Sequence, residues 1–212
     1  MLILLIRHGE TDWNHQGRRQ GRRDVPLNDQ GRDQMHHLGA CLDGLTADAM
    51  LTSPLSRAVE SAEILAEHLN FAPDSIRREN GLIERDFGDV DGMTTAELRA
   101  YRARGGNEKN EPLYKVRERM MHTVLNVARH EKHKTVLMVS HSAAIKSILV
   151  RLYGKPELQR KTTKNAGVSI IEYKGGRLHP RAFNLSPEDA AKYLRRRGLI
   201  SAHGQKQDAP QA

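Results

Sequence analysis

The chain has 212 residues, 38% of them hydrophobic and 28% charged, which suits one large domain burying about 70% of its unfolded surface. Its single cysteine, Cys41, excludes an internal disulfide framework and fits a reducing compartment. The net charge of +8 favours an anionic partner, without choosing among phosphoester, nucleic acid and membrane surface.

No apolar run approaches the roughly 18 residues of a membrane helix. The first apolar run is short, with no basic lead-in or small-residue cleavage site, so it does not read as a signal peptide. The expectation is a cytoplasmic protein that makes no membrane contact.

In chain order, "LILLIRHGETDWN" opens with Leu2–Ile6, apolar without alternation, the signature of a strand buried on both faces. It stops at Arg7 and His8, a pair that costs desolvation unless something there uses it. "QGRRQGRR" follows and gathers Arg18, Arg19, Arg22 and Arg23. A helical pattern covers Asp29–Leu42; within it "LGACL" marks Cys41 as a small buried hydrophobe. Ala49–Thr52 is strand-like. Ser53 is placed to cap the next helix, Pro54–Leu69, with Pro54 at its first position and Arg57 in its first turn, where backbone N–H groups favour anions. "GLIERDFGD" carries Glu84 after a short strand-like run. Helical patterns return at Thr95–Arg104 and Leu113–Glu131. Thr135–Val139 is a strand that ends in His141-Ser142, and a helix follows over Ser142–Leu152. Val168–Tyr173 and an edge strand near Leu178–Phe183 flank a Gly-Gly turn, a hairpin signal. From Ser186 a short capped helix leads into a polar tail.

Strands separated by helices point to an α/β fold, a three-layer α/β/α sandwich with a mostly parallel central sheet and an antiparallel edge strand. Residues 1–185 are expected to form the domain, and 186–212 a short helix and mobile tail. Ligands bind at the carboxyl ends of such strands, and three strands release basic side chains there: Arg7 and His8, Arg57, and His141. The arginines can clamp phosphoryl oxygens and keep a histidine neutral and nucleophilic. Glu84 can protonate a leaving alkoxide and then activate water.

The segments "RHGETDWN", "RRDVPLNDQGRDQ", "TSPLSRAVESA", "LIERDFGDVDG" and "VLMVSHSAAIKSIL", in that order, resemble the histidine phosphatase superfamily, also called the phosphoglycerate mutase-like family. The resemblance implies ping-pong phosphoryl transfer. His8 takes the phosphoryl group, Arg7, Arg57 and His141 orient its oxygens, and Glu84 is general acid and then base. Asn14, Gln20, Gly21 and Ser142 complete the substrate-binding set. It implies no metal and no cofactor, and a small phosphorylated metabolite as substrate; a homodimer is compatible with it. The chain departs from the family where Val90-Asp91-Gly92 replaces Trp-Glu-Gly, and where Ser142 replaces glycine.

The short segment between the acid block and the next helix, with "RGGNEKNEP" its irregular part, leaves little material for a lid. A phosphomonoester hydrolase is therefore favoured over a cofactor-dependent mutase. Tyr101, Arg102 and Arg104 keep the mutase alive as contacts for a second anionic group. A non-catalytic RNA-binding module, built on the arginine runs at 18–23 and 195–197, ranks below both. His36, His37, His130 and His133 have no Cys or carboxylate at a recognised ligand spacing and read as exposed helix histidines.

Overall fold

The computed structural model describes residues 1–130 and 134–201. Leu2–Arg7 (β1), Ala49–Thr52 (β2), Arg77–Arg78 (β3), Thr135–Ser140 (β4), Val168–Lys174 (β5) and Arg177–Leu185 (β6) form one sheet in the order β3-β2-β4-β1-β5-β6. The β3–β2, β2–β4 and β4–β1 ladders are parallel; β1–β5 and β5–β6 are antiparallel. The hairpin between β5 and β6 turns at Gly175 and Gly176, with φ of 59° and 75°, a conformation that glycine adopts without strain.

The helices are Asp12–His15 (α1), Asp29–Cys41 (α2), Ser56–His68 (α3), Thr95–Ala103 (α4), Leu113–His130 (α5), Ser142–Tyr153 (α6) and Pro187–Arg196 (α7). Alternation along β1 assigns the layers. Leu2, Leu4 and Ile6 pack with Met35, Leu38, Leu65, Ala190 and Leu194 on one face of the sheet, from α2, α3 and α7. Ile3 and Leu5 pack with Met120, Val124, Ile145 and Ile148 on the other, from α5 and α6. This is the expected three-layer α/β/α sandwich.

Three expectations change in detail. Ser53 does not cap the helix after β2: α3 starts at Ser56, its cap residue is Leu55, and no side chain caps it. Pro54 therefore lies outside the helix, although Arg57 still falls in its first turn. Cys41 is half-buried rather than fully enclosed. The sheet also gains β3, whose two exposed arginines carry no hydrophobic signal. Glu131, His133 and the tail from residue 202 lie outside the described residues.

Candidate active site

The register of the parallel ladders aligns the strand ends. Arg7 stands opposite Ser140, and Thr52 opposite Val139. The next residues stay in step, with the His8 N–H donating to Ser140 O (3.1 Å) and the Ser53 N–H to Val139 O (3.0 Å). His8, His141 and Ser53 thus lie in a row across β1, β4 and β2. The rings of His8 and His141 are 5.0 Å apart at their centroids.

His8 is buried, and its Nδ1 lies 2.6 Å from the Gly9 carbonyl. A carbonyl only accepts, so Nδ1 carries the proton and Nε2 keeps its lone pair. Burial, then Arg57, then Arg7, hold this imidazole well below its ordinary range. It is neutral at pH 7.

Arg57 is buried and Arg7 half-buried, and both are held by carbonyls. Arg7 donates to Thr163 O (2.6 Å); Arg57 donates to Gly21 O (2.7 Å) and Arg23 O (3.1 Å). Burial pushes each guanidinium down to about 10, with Glu84 the largest opposing charge, so both remain cations. Asp91, at the departure from the family pattern, accepts from the N–H groups of Gly21 (2.7 Å) and Arg23 (3.1 Å). It steadies the two residues whose carbonyls hold Arg57.

His141 Nε2 lies 2.8 Å from Ser53 Oγ. That oxygen also accepts from the Leu55 N–H (3.4 Å), and with its hydroxyl proton turned to Nε2 the imidazole proton sits on Nδ1. Among the described residues, five buried side-chain nitrogens have no partner, and four of them, Arg7 Nε, Arg57 Nε, His141 Nδ1 and Gln20 Nε2, belong to this site; the fifth is Arg195 Nε. Buried donors are normally satisfied, so this concentration describes an oxyanion receptor.

Glu84 is only 4% exposed. Its Oε1 accepts from Arg85 N (2.7 Å) and Ala144 N (3.0 Å), and its Oε2 from Ala143 N alone (3.0 Å). The amino end of α6 thus orients the carboxyl and leaves Oε2 the freer oxygen. The nearby acids are engaged elsewhere: Asp86 accepts from Gly88 N, and Asp91 from Gly21 and Arg23.

Six predicted residues, Arg7, His8, Asn14, Gln20, Glu84 and Ser142, line one cleft of about 360 Å³. Arg57, His141 and Gly21 are buried beside that wall instead. Gln20 Oε1 accepts from Thr11 Oγ1 (3.1 Å) and Asn14 Nδ2 (3.0 Å), which fixes its amide.

Arg18 and Arg19 of the arginine run line the cleft, and three of its four arginines are paired with carboxylates. Arg18 pairs with Glu97, Arg19 with Glu108, and Arg22 with Glu111 and Asp86. Tyr101, Arg102 and Arg104 do not line the cleft. Tyr101 donates to Asn107 O, Arg102 pairs with Glu108, and Arg104 faces a neighbouring cavity.

Several residues escaped the sequence reading. Asn165 donates to His8 O (3.1 Å) and Asn14 Oδ1 (3.0 Å), and Thr163 supplies the carbonyl for Arg7 and a hydroxyl bond to Ser142. Arg119 of α5 donates to the carbonyls of Gly81, Ile83 and Glu84 and pairs with Glu111, clamping the Glu84 segment.

Residues 3–186 match the histidine phosphatase superfamily (branch 1), and the chain belongs to that superfamily. A Bacillus subtilis protein described as an uncharacterized phosphatase, PhoE, is 35% identical over 87% of this chain and 94% of its own. A 2,3-bisphosphoglycerate-dependent phosphoglycerate mutase of Brucella melitensis is 30% identical over 80% of this chain and 90% of its own. Among solved structures, Bacillus stearothermophilus YhfR superposes with a TM-score of 0.78 at 30% identity, covering 88% of this chain and 98% of its own.

Proposed function

We propose that the protein is a phosphomonoester hydrolase acting on a small phosphorylated metabolite through a phosphohistidine at His8. The observation that carries this reading is the free lone pair of His8 Nε2 beside two arginines whose hydrogen-bond partners are carbonyls. Nε2 attacks phosphorus, the N–P bond forms and the ester P–O bond breaks. A proton on Glu84 goes to the leaving alkoxide. Glu84 then removes a proton from water, which attacks phosphorus, breaks the N–P bond and releases inorganic phosphate. The fixed charges of Arg7 and Arg57, with His141 Nδ1–H and the Gln20 amide, stabilise the transferring oxygens. In phosphoryl transfer such positioning supplies most of the catalysis, and the arginines take the charge-neutralising role that a metal plays elsewhere.

The mutase relatives support transfer to a second acceptor as a second reading. Hydrolysis is favoured because the segment after the acid block is tied down beside the cleft. Arg19–Glu108, Arg22–Glu111 and the Glu111 N–H to Asp86 carbonyl bond hold it against residues 19–22 and 86. Water then reaches the phosphoenzyme.

The test is release of p-nitrophenol from p-nitrophenyl phosphate in EDTA, with an acid-quenched search for an acid-labile, base-stable phosphoenzyme. His8→Ala should lose both signals. Turnover that survives in His8→Ala sinks the histidine route, and phosphoglycerate isomerisation faster than phosphate release favours the mutase.

A further inference from the structure

Away from the cleft, α2 and α7 bring together three side chains that phosphoryl transfer does not use. His37 and Cys41 are one turn apart on α2, the i, i+4 spacing that turns two side chains to one face. Glu188 comes from the first turn of α7. The sequence reading passed over Cys41 at i, i+4 from His37, and Glu188 lies 151 positions further along, where the fold alone supplies it. His37 Nε2 is 2.6 Å from Glu188 Oε1 and 3.9 Å from Cys41 Sγ, and the three ligand atoms lie within 4.8 Å of one another. Among the described residues this is the one set of three or more His, Cys, Asp or Glu side chains that converges in this way.

We propose that His37, Cys41 and Glu188 form a transition-metal site of the zinc class that fastens α7 to α2. Imidazole, thiolate and carboxylate together suit Zn²⁺ or Co²⁺ rather than the all-oxygen ions Mg²⁺ and Ca²⁺. Bonds of about 2.0–2.3 Å set the edges of a tetrahedral site at roughly 3.3–3.6 Å. The present separations bracket those edges, and the exposed ends of His37 and Glu188, at 56% and 62%, are free to adjust. Three protein ligands leave a fourth position for water. On the core side α7 is seated through Ala190, Ala191 and Leu194, and the metal adds a second attachment on the outer side, binding only when both helices are in place.

The test is titration of the full, chelator-stripped chain with Co²⁺. One equivalent should give tetrahedral visible bands and a thiolate-to-cobalt charge-transfer band in the near ultraviolet, both erased by Zn²⁺. Cys41→Ser should remove the charge-transfer band, and Glu188→Gln should weaken binding about tenfold or more, at least as much as losing an outer-sphere partner. His36→Gln should bind normally, because His36 Nδ1 is engaged with His68 Nε2 at 3.1 Å. Turnover of p-nitrophenyl phosphate in each variant reports that it is folded. Absence of the thiolate band in the intact chain, or binding unaltered in Cys41→Ser, overturns the site.

Discussion

Arg7 of β1 and Ser140 of β4 face each other in the parallel ladder, and this register sets His8 and His141 side by side, their rings 5.0 Å apart. Burial and then Arg57 hold both imidazoles well below their ordinary value. The unfolded chain takes up these protons near pH 6.5 while the native state refuses them. Native stability therefore falls as the pH drops below about 6.5, by about 1.4 kcal/mol per pH unit for each histidine. Urea midpoints between pH 7.5 and 5 should slope less steeply in His141→Gln than in the intact chain. An unchanged slope would mean that His141 is already protonated in the native state.

Ser53→Ala removes the hydroxyl that partners His141 Nε2 and orients its ring, so kcat on p-nitrophenyl phosphate should fall about tenfold or more, equivalent to about 1.4 kcal/mol. An unchanged kcat would mean that the ring holds its place without this bond.

Glu84→Gln keeps the shape of the side chain and removes its acid. Hydrolysis of glycerol phosphate, with a poor leaving group, should fall at least about tenfold further than that of p-nitrophenyl phosphate, in line with the usual 10²–10⁴-fold worth of general acid catalysis. Equal losses on both esters would move the acid role away from Glu84.

Arg119→Met would leave the carbonyls of Gly81, Ile83 and Glu84 and the Glu111 carboxylate without their shared donor. Breaking a partly buried network of this kind should cost about 3–5 kcal/mol in urea unfolding. A shift below about 1 kcal/mol would show that the clamp is dispensable.

Gly31→Ala reverses an ordinary expectation. In an exposed helix the change gains about 1 kcal/mol. Here a Cβ would sit 2.1 Å from the Glu10 carbonyl oxygen, so the loop behind His8 or the start of α2 must shift. The variant should unfold about 1–3 kcal/mol more easily, the usual cost of overpacking, with a parallel loss of kcat. A gain in thermal midpoint would mean that the loop yields freely.

The core strands were legible because β1 and β4 carry continuous apolar runs and β5 is rich in Val and Ile, and His8, Arg57 and His141 follow strand ends where ligands gather. Glu84 was legible by its place in a familiar segment; the charges around it pointed to the surface instead. Asn165 and Thr163 were not legible, because they sit in a polar loop whose position depends on β1 being its neighbour. Arg119 was hidden among the charged residues of α5, where nothing local distinguishes a clamp from a solvated side chain. The Cys41–His37–Glu188 grouping needed α7 in place before it existed.

Arg7 and Arg57 are gripped by carbonyl dipoles, and a dipole, unlike a carboxylate, cancels no net charge. The pocket therefore behaves as a bead of ion-exchange resin does, with its cations immobile and its counter-ion exchangeable. On the proposed hydrolysis, inorganic phosphate would compete for the same fixed charges as the ester, and throughput would depend on how quickly the surroundings carry that phosphate away.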